Sequence, residues 1–278
     1  MRPTLNLLIQ LQELILIRDE QKVLSGNRHL EQLDASVRTM AAELPAEVRS
    51  LFERLLKRER IFISPIADGA CAICGMRLPI SLVQAVRLAR QIESCPTCAH
   101  ILYYSETGPK HLRQPLRRAD PPRLGIARFS SATLMVPHLQ AEEKEGVIRE
   151  LASRMETEGF VDSADKLLEE ALRREAILST AVDHGLAFPH ARGVEGGGLT
   201  FALGLSRKGV PFDGPAGQVS RLIFLIVIPT AASAFYLKLL AGLTETFMKV
   251  EARKAILAEK EPDKLWKALV KVTRAAIK

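Results

Sequence analysis

Two groups of residues in this 278-residue chain have types and spacings suited to chemistry. The first is Cys71, Cys74, Cys95 and Cys98, two Cys-x-x-Cys pairs separated by twenty residues. Each pair can clasp a metal through a tight knuckle, with Gly75 following the first pair and Pro96 inside the second. Four thiolates fill a tetrahedral Zn2+ shell and leave no position for an activated water, so the expected role of zinc is structural. A redox role for either pair is the weaker reading, because a second pair at zinc-ribbon distance explains both. His100 lies just past the last cysteine and reads either as a surplus ligand or as a surface histidine. The second group is Arg174-Glu175, then Ser179-Thr180, then Gly185-Leu186-Ala187-Phe188-Pro189-His190-Ala191-Arg192. A histidine held behind a proline and between arginines suits nucleophilic chemistry. Imidazole is partly neutral near pH 7, so a ring nitrogen can attack a phosphoryl group and later release it. Guanidinium groups can steady the dispersed negative charge of the group in transit. Taken alone, a single histidine is more often a packed or surface residue than a nucleophile.

The order of motifs changes that weighting. After the Pro-His-Ala-Arg segment come a strand, Gly209-Val210-Pro211-Phe212-Asp213, a buried strand ending in Pro229, and Leu237-Lys238-Leu239-Leu240 opening a helix. In this order, residues 131–278 resemble the EIIA domain of the mannitol/fructose type in the bacterial phosphoenolpyruvate-dependent sugar phosphotransferase system. The resemblance implies a mixed sheet with flanking helices and a histidine that takes phosphoryl from the carrier protein HPr. Residue by residue, His190 falls on the phosphorylated histidine and Arg174 on the arginine that supports the phosphoryl group. Arg192 is a second candidate for that support. Ser179 and Thr180 either order the loop through hydroxyl bonds or cap a helix end. Many relatives carry a second active-site histidine where this chain has Tyr236. Tyrosine can donate to a phosphoryl oxygen but accepts protons poorly at neutral pH. Phosphorylation of His190 is therefore expected, while fast onward transfer to a sugar-loading partner is questioned. His184 reads as a loop histidine, and His138 carries no signal.

Residues 67–74, Leu78-Pro79, Cys95-Pro96-Thr97-Cys98 and Ile101-Leu102-Tyr103 resemble the bacterial C4-type zinc ribbon domain, in which the ribbon follows a long helical hairpin. That resemblance covers about 1–105 and implies no more function than binding nucleic acid or protein.

These sites need elements to position them. Thr4 is placed to cap a first helix with Leu7, Leu8, Leu11, Leu14 and Ile15 on one side. Ser25-Gly26-Asn27 read as a turn, and Leu30, Leu33, Val37, Met40 and Leu44 form a two-heptad seam. This suits an antiparallel helical hairpin, a short coiled coil, or packing on a partner helix. Pro45 ends that helix and is expected at the first position of the next, which turns Val48, Leu51, Phe52, Leu55 and Leu56 inward. In the C-terminal part, helices are predicted over 146–155, 163–174, 233–250 and 263–277, with Ser163 as a cap. Strands are predicted over 199–205 and 221–228. Leu222–Ile228 is uninterrupted apolar sequence, as expected of a strand buried on both faces.

The predicted organisation is a helical hairpin (1–60), a C4 zinc ribbon (61–105), a basic Pro/Arg-rich linker (106–130) and an α/β EIIA-like domain (131–278). A hydrophobic share of 47% with 26% charged residues argues against wholesale disorder. The net charge of +7 is concentrated: residues 1–130 hold 19 Lys+Arg against 13 Asp+Glu, and residues 131–278 hold 20 against 19. Within 109–128, Lys110, Arg113, Arg117, Arg118, Arg123 and Arg128 face only Asp120. This run reads as a solvated tether or as an electrostatic contact with nucleic acid or an acidic partner. The absence of aromatics there gives stacking on bases no support. Paired cysteines used for metal suit a reducing compartment, and neither a secretory signal nor a membrane-spanning run is visible, so a cytoplasmic location is expected. The expected function is a phosphocarrier with a phosphohistidine intermediate and a regulatory output, its partners an HPr-like donor and an EIIB/permease or a regulatory target. The alternative is a non-catalytic adaptor that binds nucleic acid or a protein assembly through ribbon and linker.

Overall fold

The apolar run near residue 225 becomes the central strand of a six-stranded mixed sheet. The computed structural model describes residues 2–24, 30–58, 61–104, 124–193, 198–213 and 217–277. The chain forms two compact units, Met1–Leu112 and Arg113–Lys278. The turn at 25–27 and most of the basic run, 105–123, lie outside the described residues.

The first unit begins with three helices, α1 (Arg2–Leu24), α2 (Leu30–Ala42) and α3 (Ala46–Arg58). α1 starts before Thr4, which lies in its first turn and does not cap it. Pro45 stands one residue before α3 and accepts from the Arg49 N–H at 2.8 Å, so it acts at the N-cap and not at the first helical position. Leu5, Leu8, Leu11 and Ile15 of α1 share one apolar cluster with Val37, Leu44, Val48, Phe52 and Leu55. Two polar residues that interrupt the apolar run of α1 have different places. Gln12 is buried and its Oε1 accepts the Phe62 N–H at 2.8 Å, while Gln10 is exposed. The Gln12 bond fixes the chain where it enters the cysteine module.

That module consists of β1 (Ile63–Ala67), β2 (Ala70–Cys71), α4 (Ile80–Leu88), β3 (Glu93–Ser94) and β4 (Ile101–Tyr103). The sheet order is β2-β1-β4-β3, with β1 and β4 parallel and the outer pairs antiparallel. α4 fills the interval between the two cysteine pairs and buries Val86 beside Leu78 and Leu102.

The second unit holds β5 (Met135–Val136), α5 (Lys144–Thr157), α6 (Ala164–Ile177), β6 (Ala181–Val182), β7 (Leu186–Ala187), β8 (His190–Arg192), β9 (Thr200–Pro211), β10 (Val219–Ile228), α7 (Ser233–Phe247), α8 (Val250–Leu257) and α9 (Pro262–Thr273). The strand order is β5-β9-β10-β7-β6, with β8 also pairing β10. β10 runs antiparallel to β9 and parallel to β7 and β8, which makes the sheet mixed, with helices packed on it. All seven residues Leu222–Ile228 are buried. Phe224 touches Phe188, Phe201 and Phe247 at ring distances of 5.3, 5.8 and 5.5 Å, joining β9, β10 and the segment between β7 and β8 to α7. Gly209 has φ +86°, and a Cβ there would lie 2.3 Å from Val219 Cγ2. The approach of β9 to the start of β10 requires glycine on both counts.

Ser163 caps α6 as expected, its Oγ accepting the Lys166 N–H at 3.3 Å. α9 carries Pro262 in its first turn but ends at Thr273. Residues 125–128, read from the sequence as the end of the linker, form a 3-10 turn that buries Ile126. Ser130 then donates to the Phe201 carbonyl at 2.7 Å.

Candidate functional site

The four cysteines converge. Their Sγ atoms all lie within 4.8 Å of one another. Cys71 and Cys98 are 3.6 Å apart, and Cys74 and Cys95 are 3.7 Å apart. A tetrahedral site with metal–sulfur bonds of about 2.3 Å puts its sulfurs roughly 3.8 Å apart, so this donor set fits a metal ion. The knuckles that deliver the sulfurs are bonded turns. Gly75 N–H donates to the Cys71 carbonyl at 2.8 Å with φ +72°, and Ala99 N–H donates to the Cys95 carbonyl at 2.9 Å with φ +62°. Burial pushes the thiols of Cys74 and Cys98 up. At Cys95 burial also raises the pKa, but the N–H groups of Cys98 and Thr97 and the neighbouring thiols outweigh it and leave the value at about 7. Four thiols this close cannot all ionise without a cation among them. His100 is buried next to the second knuckle, its Nδ1 3.2 Å from the Cys98 carbonyl oxygen, and it is not in the converging set.

The second constellation is built around β8. Pro189 precedes the strand, where its missing N–H costs no ladder bond, and its carbonyl accepts the Ile226 N–H at 2.9 Å. His190 pairs with Ile226 and Arg192 with Ile228 on β10. The alternation of a strand puts His190 and Arg192 on one face and the buried Ala191 on the other. His190 is 2% exposed. Its Nδ1 lies 3.0 Å from the Phe188 carbonyl oxygen. A carbonyl can only accept, so Nδ1 carries the proton, and the lone pair of the neutral ring is on Nε2.

Tyr236, in the first turn of α7, is fully buried against this ring. The two rings are 5.4 Å apart, and the tyrosine hydroxyl lies 3.4 Å from His190 Nδ1. The Arg192 guanidinium sits 5.2 Å from the centre of the Tyr236 ring. His190, Tyr236 and Arg192 therefore form one group. Arg174, half-buried near the end of α6, donates from Nη1 to the Leu178 carbonyl at 2.9 Å.

Ser179 and Thr180 follow, and neither is the cap at the end of α6, which is Leu178. Thr180 donates its hydroxyl to Glu175 Oε2 at 2.6 Å and its N–H to the same carboxylate at 3.1 and 3.2 Å. The Ser179 hydroxyl lies between Glu175 Oε1 and the Phe212 carbonyl and accepts the Ala181 N–H at 3.2 Å. This ties the Gly-Val-Pro-Phe segment to the end of α6. His184 is exposed, with φ +70°, and His138 is also exposed. The sequence reading passed over the Glu175 carboxylate and the Phe188 carbonyl. The signal for the first was available: a glutamate five residues before a threonine, at the end of a helix with apolar neighbours.

The protein-family model that matches residues 129–272 is that of the phosphoenolpyruvate-dependent sugar phosphotransferase system, EIIA 2. A fructose-specific EIIA component of Haloferax volcanii is 32% identical over 114 residues, covering 41% of this chain and 74% of the relative. A fructose-specific EIIABC component of Bacillus subtilis is 30% identical over 126 residues, covering 45% of this chain and 20% of that longer protein. Among solved structures, the nitrogen regulatory protein IIA-Ntr of Neisseria meningitidis is 26% identical, covers 51% of this chain and 97% of its own, and has a TM-score of 0.47. The chain belongs to the EIIA 2 family of the sugar phosphotransferase system. Among the described residues, no helix is long and apolar enough to cross a membrane.

Proposed function

We propose that this protein is a phosphocarrier that accepts phosphoryl from an HPr-like protein on Nε2 of His190. The observation that carries the reading is the His190 Nδ1–H held 3.0 Å from the Phe188 carbonyl, within a Pro-His-Ala-Arg strand of an EIIA unit. In the step itself, the Nε2 lone pair attacks phosphorus in line with the donor's phosphorus–nitrogen bond. The new phosphorus–nitrogen bond forms as the old one breaks, and the electron pair leaves with the donor imidazole. The ring becomes cationic on phosphorylation, and the Phe188 carbonyl stabilises the Nδ1–H that shares this charge. Arg192, and Arg174 from the end of α6, are the proposed supports for the equatorial oxygens. Thr180 holds the loop behind the histidine. Tyr236 is proposed to donate to a phosphoryl oxygen once displaced from its resting contact with the ring.

Zn2+ is the proposed ion for Cys71, Cys74, Cys95 and Cys98, since a site of four thiolates selects zinc and closes its coordination shell. A closed shell gives it a structural role. A cysteine-ribbon unit carried in the same chain as the EIIA unit favours a regulatory output over sugar loading, and a phenol where a second histidine would relay protons favours it as well. A regulatory target or an EIIB/permease chain is the proposed recipient, and the reducing conditions that thiolate sites need fit the cytoplasm.

The adaptor reading has one observation on its side, the 2% exposure of the His190 ring. Incubation with phosphoenolpyruvate, enzyme I and HPr separates the two. The carrier takes up acid-labile label that His190→Ala abolishes, whereas the adaptor takes up none in either form.

A further inference from the structure

Glu175 carries a carboxylate at 5% exposure, and a buried charge is retained only where donors saturate it. Its oxygens accept the Thr180 N–H and hydroxyl and face the Ser179 hydroxyl. The chain of bonds continues. The Thr180 carbonyl accepts the Phe188 N–H at 3.2 Å, and the Phe188 carbonyl accepts from His190 Nδ1 at 3.0 Å. Between the carboxylate and the imidazole there are thus only two residues, each fixed at both ends. The β6–β7 pairing of Ala181 with Ala187 and Val182 with Leu186 holds the same two segments in register.

We propose that Glu175 is a positioning residue that sets the tautomer of His190, through Thr180 and the Phe188 carbonyl, and so presents Nε2 as the nucleophile. Its purpose rests on the reading of His190 as the phosphoryl acceptor; its effect on the ring does not. A free neutral imidazole favours the proton on Nε2. Only an acceptor fixed beside Nδ1 reverses that preference, and the nitrogen left with the lone pair follows from it. A loop that slackens by a fraction of an ångström weakens the Phe188 bond, because hydrogen bonds lose strength steeply with misalignment. The Nε2–H form then gains, and that form has its lone pair on Nδ1, against the Phe188 carbonyl, and none on Nε2 to offer a phosphoryl donor. The side chain acts at a distance and touches neither ring nor phosphoryl group.

The test uses the full chain, labelled with 15N, at a pH where His190 is neutral. Long-range proton–nitrogen NMR correlations read the Nδ1–H to Nε2–H ratio directly. The wild type is expected almost wholly as Nδ1–H. In Glu175→Ala the ratio falls about tenfold, the equivalent of one lost hydrogen bond, and in Glu175→Gln, which keeps one acceptor oxygen, it falls roughly threefold. Circular dichroism verifies folding, and the isosteric glutamine variant decides if the alanine variant does not fold. A folded variant whose ratio stays at the wild-type value overturns the proposal, whatever happens to phosphoryl uptake. Label transfer from HPr is measured on the same samples. A wild type that takes no label while the tautomer shifts in the variants removes the acceptor reading and leaves the positioning role standing.

Discussion

Replacing Tyr236 by alanine removes the ring packed against that of His190. The tyrosine is fully buried, and its ring lies 5.4 Å from that of His190, which is 2% exposed. Taken as the cover over the imidazole, this side chain must move before an electrophile can react. Uncovering a side chain of that size costs about 2 kcal/mol, which leaves the histidine reachable about one part in thirty of the time. The apparent reactivity falls by the same fraction. Diethyl pyrocarbonate reads this with an internal control, because His184 is exposed in the same unit. In the wild type His190 should react about thirtyfold more slowly than His184, and in Tyr236→Ala the two should come within a few-fold. The truncation also costs about 3–5 kcal/mol of stability, so the reaction is run well below the melting transition. Tyr236→Phe separates cover from hydroxyl. The hydroxyl contact of 3.4 Å is long, and its loss should change His190 reactivity less than about threefold. His190 reacting as fast as His184 in the wild type, or staying slow in Tyr236→Ala, would refute the argument that this side chain controls access.

Other expectations follow from the first unit. Gln12→Ala removes the acceptor for the buried Phe62 N–H and should lower stability by about 1–3 kcal/mol, measured by urea unfolding. Metal removal by a chelator should melt the module spanning β1 to β4 while leaving β9 and β10 intact, with hydrogen exchange resolving the two. Metal affinity should fall as pH drops through the thiol range, because each thiolate must shed a proton before it binds. Proton release measured on titrating Zn2+ into apo-protein checks the sign: acidification supports it, and no release contradicts it.

Much of this was legible in the sequence where one signal dominated. Leu222–Ile228 could be read as a doubly buried strand because seven apolar residues in a row leave no polar face. The cysteine spacing pointed to a cluster that could hold a metal ion, because two knuckles at that distance have few other uses. Ser163 was readable as a cap from local chemistry alone. The strands β6, β7 and β8 were not legible, since two or three residues carry no period, and their conformation comes from pairing with β10 and with each other. The break between α7 and α8 at Met248-Lys249 has no proline or glycine to mark it. Pro45 was placed one position too far into α3 because its fixed φ suits both sites, and the Arg49 bond decides between them. At the candidate site His190, the proposed nucleophile, and the Tyr236 position were readable from motif order. The carbonyl that selects the ring tautomer was not, because a backbone acceptor has no residue type to reveal it.

The central claim concerns one atom, Nε2 of His190. The protein incubated with phosphoenolpyruvate, enzyme I and HPr should gain a single phosphoryl group by intact mass. Nitrogen-coupled phosphorus NMR should assign that group to Nε2 of His190. A chain that gains no phosphoryl mass under these conditions, or carries it on another residue or on Nδ1, contradicts the account.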